Sequence, residues 1–156
     1  MTEDGMSRIA RQDTTASPSA VWNVLSDGWR YAGWVVGASR IRQVDATWPD
    51  VGSRIHHSVG LWPVLLDDHT EVLARTAEHE LVLTARAWPF GRAEIRLTVT
   101  PSETGSHITM SEHVTGGVGR VLPRLVQTEL VRPRNQECLR RLVLIAERGT
   151  HREAVE

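Results

Sequence analysis

The chain has 156 residues and a formal charge of −1 at pH 7, with 40% hydrophobic and 24% charged residues. These values are typical of a globular protein with a real core, and they exclude the strongly basic surface by which many proteins bind nucleic acid. A single cysteine, Cys138, and the absence of lysine exclude an internal disulfide, a cysteine-rich zinc site and Schiff-base chemistry.

A weak strand and two short helices are predicted near the N-terminus. The strand covers 7–14. Ser17 and Pro18 then form an N-cap followed by proline at the first helical position, and Gly28 supplies the stop of this helix. The aromatic segment 29–34 predicts a second, shorter helical turn that would form a lid or a wall.

Strands dominate the middle of the chain, where apolar and polar residues alternate with a period of two. The alternation is clearest in the strand that contains Ile95 and Leu97. Turn residues separate the strands, and Asp67-Asp68 indicates a solvated bulge within one of them. The predicted strands cover 35–46, 51–62, 64–76, 80–88, 91–100 and the alternating segment 107–114.

One long amphipathic helix closes the chain. The glycine-rich segment 116–119 predicts its start, Pro133 predicts a kink or a restart, and the polar tail beyond Gly149 predicts fraying. Cys138 lies on the apolar stripe and is expected to be a buried, unreactive thiol. The order of elements predicts an α+β fold, in which one helix crosses the apolar face of a single antiparallel sheet and leaves a cavity.

Two side chains are candidates for catalytic proton transfer in that cavity. Glu112 shares a strand face with Met110, and a carboxylate buried there must pair with a cation or take up a proton. A structural ion pair with an arginine of the closing helix, such as Arg134, is the alternative. His57 falls on the inner face and His56 on the outer face, so the two cannot chelate one metal together. His57 would orient a ligand or move a proton, and a hydrogen-bonded core histidine is its alternative.

Further side chains are predicted to line the cavity and bind an apolar ligand. They comprise inward-facing strand residues, three tryptophans at the ends of elements, and one polar residue of the helix stripe: Trp34, Ile55, Val59, Leu61, Trp62, Trp88, Ile95, Leu97, Met110 and Asn135. The tryptophans would serve equally well as core residues. Asn135 would anchor a carbonyl or hydroxyl group, or bond to the backbone. No metal-binding motif accompanies the seven histidines, so no metal and no cofactor are expected.

Taken in order, the segments resemble the SRPBCC superfamily of START-related proteins, which includes polyketide cyclase/dehydrase-like members. The resemblance spans roughly 6–148 and rests on Ser17-Pro18-Ser19-Ala20-Val21-Trp22, Trp34, Val51-Gly52-Ser53-Arg54, Met110-Ser111-Glu112, Arg134-Asn135-Gln136-Glu137 and Leu139-Arg140-Arg141-Leu142. It implies a helix-grip fold, in which a curved seven-stranded antiparallel sheet wraps around a long C-terminal helix and two short helices follow the first strand. It also implies an elongated pocket for lipids, polyketides or other apolar molecules, without a catalytic motif common to all members.

The sequence therefore predicts one ligand-binding domain over 1–156 that takes a small hydrophobic molecule such as a lipid, a polyketide or an aromatic metabolite. Three roles stay open: polyketide cyclase/aromatase-like catalysis, a non-catalytic carrier or sensor, and a co-chaperone-like interaction module. The acidic N-terminal segment 1–5 is unlike a secretory signal, and no apolar stretch is long enough to span a bilayer. We expect a cytoplasmic protein with no stable membrane insertion and no nucleic-acid partner, and a homodimer is left open.

Overall fold

A seven-stranded antiparallel sheet forms the main layer of the molecule in a computed structural model, which describes residues 9–87, 91–117 and 123–153. The strands are β1 (Ala10–Thr14), β2 (Ala38–Val44), β3 (Arg54–Leu61), β4 (Val64–Thr76), β5 (Glu80–Ala87), β6 (Gly91–Ser102) and β7 (Gly105–Gly116). The helices of the described residues are α1 (Pro18–Ser26), α2 (Tyr31–Trp34) and α3 (Arg124–Glu153), with a 3-10 turn at Gly28–Arg30.

The strand order is β1-β7-β6-β5-β4-β3-β2, so six consecutive strands form a meander and β1 pairs with the last of them. Antiparallel neighbours in such a meander are joined by short turns and need no crossover helix. The curved sheet, the two early helices and the long C-terminal helix form a helix-grip arrangement. The predicted α+β fold is confirmed.

One face of the sheet carries most of the core. The inward residues Ile95 and Leu97 of β6 are buried, as are Ile108, Met110 and Glu112 of β7. The register places Ile95 opposite Glu112 and Leu97 opposite Met110, so these side chains are neighbours on the same face. This two-residue period is typical of an antiparallel sheet that is covered on one side.

Helix α3 covers that face with a stripe of buried side chains at helical spacing. Its closest backbone neighbours are β1, β7, α1 and α2. None of the described helices is long and apolar enough to cross a membrane. The fully buried residues of the α3 stripe are Asn135, Cys138, Leu139, Leu142 and Ala146.

The limits of α3 differ from the prediction at both ends. Gly116 still pairs with Arg92 across the β6–β7 ladder, so this glycine ends a strand and does not open the helix. Residues 118–122 lie outside the described part. The helix continues through Pro133 without a restart and extends beyond Gly149 to Glu153, so it reaches further than predicted; 154–156 lie outside the described residues, and fraying of the tail stays a prediction. The Thr150 hydroxyl, which donates to the carbonyl of Ala146 at 3.0 Å, belongs to this last part of the helix.

The bulge expected at Asp67-Asp68 is absent from the β3–β4 ladder. Asp67 lies opposite Ser58 and Asp68 opposite His57 in uninterrupted register. The irregularity of β4 lies further along, where the pairing with β5 shifts after Val72. Two adjacent aspartates are common in turns, but here the pairing of the long β3–β4 hairpin keeps both residues extended.

Candidate functional site

A hydrogen-bonded group of polar side chains lies on the inner face of the sheet at β3 and β4. Nε2 of the buried His57 lies 2.9 Å from Oγ1 of Thr70, and the hydroxyl of Tyr31 lies 3.0 Å from the same oxygen. The rings of Tyr31 and His57 stack with centroids 5.4 Å apart and planes inclined by 29°. Because Tyr31 belongs to α2, these contacts hold the short helix against the sheet.

Burial favours the neutral form of both rings. Desolvation raises the pKa of Tyr31 to about 12, against the smaller opposing effect of the hydrogen bond to Thr70. Burial also lowers the pKa of His57, although the nearby charge of Asp68 acts in the opposite direction. Nδ1 of His57 has no hydrogen-bond partner among the described residues. Burial therefore favours the neutral form of this imidazole, although the adjacent backbone of Ser58 also acts on the ring.

The single tyrosine of the chain makes the Tyr31 environment directly measurable. The folded protein should hold the phenolic proton up to about pH 12, whereas an unfolded tyrosine releases it near pH 10. The unfolded state then binds fewer protons in this window, so the free energy of unfolding should fall as the pH rises from about 10 to about 12. Tyrosinate absorbance in an alkaline titration measures the effect, with the urea-unfolded chain as control. A native midpoint near pH 10 would contradict the buried position.

Glu112 faces the same interior from β7. Its side chain is 3% exposed and accepts a hydrogen bond from Nη1 of Arg134 at 3.1 Å. Arg134 also donates from Nε to the carbonyl oxygen of Val36 at 3.1 Å. The ion pair considered as the structural alternative for Glu112 is therefore present. A role for Glu112 in proton transfer stays a prediction.

Asn135 follows Arg134 on α3 and is 0% exposed. Neither Oδ1 nor Nδ2 of its amide has a hydrogen-bond partner within the described residues, so the alternative of a backbone bond is not realised there. Buried polar groups in native proteins are almost always paired. The amide of Asn135 therefore leaves its NH2 donor group and its carbonyl acceptor unpaired among the described residues.

Cys138 lies one helical turn from Asn135 and is fully buried. Its sulfur accepts a hydrogen bond from the backbone N–H of Val36 at 3.3 Å. Burial raises the pKa of the thiol, so the nucleophilic thiolate is disfavoured. These observations agree with the expectation of an unreactive cysteine.

Asp68 is a second buried carboxylate, and its predicted position in a solvated bulge is wrong. Its side chain is 4% exposed and lies on the face shared by His57, its partner in register. Nε of Arg86 donates to its Oδ2 at 2.6 Å, and Nη1 of Arg92 lies 3.9 Å from Oδ1. Asp68 and the buried Thr70 are two residues apart on β4, so their side chains share a face. This spacing is the sequence signal for the inward position of Asp68.

The apolar residues predicted as ligand contacts lie in different environments. Val59 is half-buried, and Trp62 is 86% exposed in the turn between β3 and β4. Leu61 belongs to β3, but its side chain and all of Trp88 lie outside the described part of the chain. The roles of all these residues in ligand contact stay predictions. Those buried in the core are Trp34, Ile55, Ile95, Leu97 and Met110.

No function is predicted from the sequence for Tyr31 and Thr70, the two residues that form the hydrogen-bonded group with His57. Their side chains meet across a separation of 39 residues, so no local pattern indicates the contact. The alternation of β4 places Thr70 inward, whereas nothing in the aromatic segment 29–34 distinguishes Tyr31. Among the described residues, no group of three or more His, Cys, Asp or Glu side chains is placed to hold a metal ion.

Comparisons with known proteins agree with this architecture. The sequence model of a family described as "Polyketide cyclase / dehydrase and lipid transport" matches residues 9–147. No functionally curated protein matches the chain. The solved protein MLL2253 from Mesorhizobium loti is 22% identical over 90% of this chain and 96% of its own, with a TM-score of 0.66. The di-domain ARO/CYC StfQ from the steffimycin biosynthetic pathway is 10% identical over 92% of this chain and 51% of its own, with a TM-score of 0.70. At these identities the two structures show a shared fold.

Proposed function

The chain belongs to the polyketide cyclase/dehydrase and lipid transport family of the SRPBCC superfamily, and we propose that it binds one small hydrophobic molecule between the sheet and α3. The observation that carries the proposal is the amide of Asn135, which is fully buried and has no partner among the described residues. A buried polar group without a partner costs about 1–3 kcal/mol, and a ligand that pairs with it removes that cost.

The chemistry of the surrounding residues limits the class of ligand. Apolar side chains such as Ile95, Leu97 and Met110 form the buried sheet face, which suits a hydrocarbon or aromatic skeleton. Nδ2 of Asn135 would donate to a carbonyl oxygen, and its Oδ1 would accept from a hydroxyl group. The ligand is therefore an apolar molecule with at least one carbonyl or hydroxyl group. A lipid, a polyketide and an aromatic metabolite all meet this description.

His57 supports cyclase/aromatase-like catalysis as a second candidate function. In the tautomer that carries its proton on Nε2, the ring donates to Thr70 and Nδ1 can act as a base. Nδ1 would take a proton from the carbon between two carbonyl groups of a poly-ketone. The resulting enolate would attack another carbonyl of the same chain, which forms a C–C bond, and the alkoxide would take the proton back from His57. Glu112, which is paired with Arg134, is the alternative group for this proton transfer.

Native mass spectrometry of the purified protein tests the binding function. We expect the native mass to exceed the denatured mass by that of one small molecule. Ile95→Trp should abolish this excess, because the larger ring occupies space beside Glu112 on the inner face. Leu144→Trp is the matched control, since Leu144 is 40% exposed on α3 and should leave ligand retention unchanged. Circular dichroism is used to check that both variants fold.

The same preparation distinguishes the candidate functions. A catalytic role predicts that His57→Ala retains the molecule but loses turnover of a poly-ketone substrate, whereas a carrier or sensor shows no turnover in either protein. If the parent protein carries no molecule and does not take up 1-anilinonaphthalene-8-sulfonate, an apolar fluorescent probe, the binding function is wrong.

A further inference from the structure

The turn between β3 and β4 exposes an unusual concentration of large apolar side chains. We call Trp62, Val64, Leu65 and Leu66 the apolar tip; Trp62 is 86% exposed and each of the others is at least 40% exposed. Large apolar side chains that are exposed next to one another mark interaction surfaces far more often than scattered ones do. The apolar tip lies outside the interior site, and the inference below does not rest on that site.

The apolar tip is exposed on both faces of the hairpin. Leu66 pairs with Val59 on the inner face, and Leu65 pairs with Gly60 on the outer face, yet both leucines are exposed. The two strands approach closely at Gly60, where a Cβ would lie 2.4 Å from the carbonyl oxygen of Val64. A projection that is apolar on both faces suits immersion in a medium that surrounds it, such as the interface of a lipid bilayer.

Arginines surround the base of the apolar tip. Next to the pair formed by Leu66 and Val59, Asp67 of β4 lies opposite Ser58 of β3. On the other side of Ser58, the opposite residue is Arg40 of β2. At this level Arg42 contacts Asp67 at 3.4 Å, and Arg86 and Arg92 approach Asp68. The four arginines Arg40, Arg42, Arg86 and Arg92, which we call the arginine collar, outnumber the two aspartates by two. The formal charge of these six residues is therefore positive, whereas the chain as a whole carries a charge of −1.

We propose that the apolar tip docks the protein on an anionic lipid bilayer, with the arginine collar at the level of the lipid phosphates. The tip extends about three residues beyond the charged level, which corresponds to roughly 10 Å at about 3.3 Å per residue. Amphipathic segments bury their apolar face to a comparable depth at the boundary between headgroups and acyl chains. Tryptophan is the side chain enriched at that boundary, and arginines near the surface attract anionic lipids.

Cosedimentation with vesicles tests this inference. We expect the full chain to bind vesicles of equal parts phosphatidylglycerol and phosphatidylcholine, and to bind pure phosphatidylcholine vesicles more weakly. Trp62→Ser should weaken binding to the mixed vesicles by about 10- to 100-fold, the effect of losing burial of one large apolar side chain. Arg40→Gln should weaken it by about fivefold, and high salt should reduce the preference for anionic vesicles.

Trp29→Ser is the matched control, because Trp29 is an exposed tryptophan (61%) that does not belong to the apolar tip. It follows Gly28, which lies against Val44 at the opposite end of β2 from Arg40. This variant should bind vesicles like the parent protein. The inference is overturned if neither vesicle is bound, or if Trp62→Ser and Trp29→Ser bind equally. It is also overturned if the parent protein forms dimers that Trp62→Ser abolishes while vesicles have no effect, since the tip would then contact a second copy of the chain.

Discussion

Arg134→Met is expected to lower the free energy of unfolding at pH 7 by about 2–4 kcal/mol. Methionine keeps much of the side-chain volume but leaves the carboxylate of Glu112, which is 3% exposed, without its cation. The hydrogen bond from Arg134 to the carbonyl of Val36 is lost as well. Because the Arg134 side chain is 30% exposed, solvent offsets part of the roughly 3–5 kcal/mol typical of breaking a fully buried pair. Urea unfolding followed by circular dichroism measures the loss.

A double variant separates the charge effect from packing. Adding Glu112→Gln to Arg134→Met removes the unpaired charge and should recover more than half of the lost stability. Arg140→Met is the matched control on the same helix, since Arg140 pairs with Glu137 on the exposed surface. It should leave the urea midpoint unchanged. If Arg134→Met is as stable as the parent protein, the ion pair does not contribute in solution.

Asn135→Leu is expected to raise the free energy of unfolding of the ligand-free protein by about 1–3 kcal/mol. Leucine has the same branched arrangement of side-chain heavy atoms as asparagine, although its methyl groups are larger, and it removes two buried polar atoms that have no partner among the described residues. The same change should reduce the retained small molecule, because the polar contact to the ligand is lost. A gain in stability together with a loss of binding is typical of a residue kept for function.

Stability is measured by urea unfolding after extraction of any ligand, and retention by native mass spectrometry. Asn23→Leu is the control, because Asn23 is an exposed asparagine on α1 and should change neither quantity appreciably. A loss of stability above about 1 kcal/mol in Asn135→Leu together with unchanged ligand retention would contradict this role of the amide. Our assignment of Asn135 to ligand recognition would then be wrong.

The sheet was predictable because it is antiparallel and has one buried face. The alternation that includes Ile95, Leu97 and Met110 identifies both the strands and their inward side chains, since successive residues point to opposite faces. The same rule places His57 and Glu112 inside. Local sequence was less informative at the start of α3, because the glycines at 116 and 117 are compatible with either a strand end or a helix start.

The polar contacts of the site could not be predicted, because they depend on tertiary packing. Tyr31 and Thr70 are 39 residues apart, and the orientation of α2 against β4 brings them together. The salt bridge between Asp68 and Arg86 likewise joins two strands 18 residues apart. The adjacent aspartates are typical of a solvated turn when they are considered alone. The two-residue spacing from Thr70 indicates that Asp68 is inside, and the β3–β4 register places it opposite His57.

Segment 31–36 joins the two walls of the interior. At one end the hydroxyl of Tyr31 is bonded to Thr70 of the sheet, and at the other both backbone polar groups of Val36 are bonded to side chains of α3. We therefore expect a ligand that moves α3 relative to this segment to alter the protection of the Val36 amide against deuterium exchange. The exchange rate of this one backbone amide would therefore report whether the interior site is occupied, even when the ligand has not been identified.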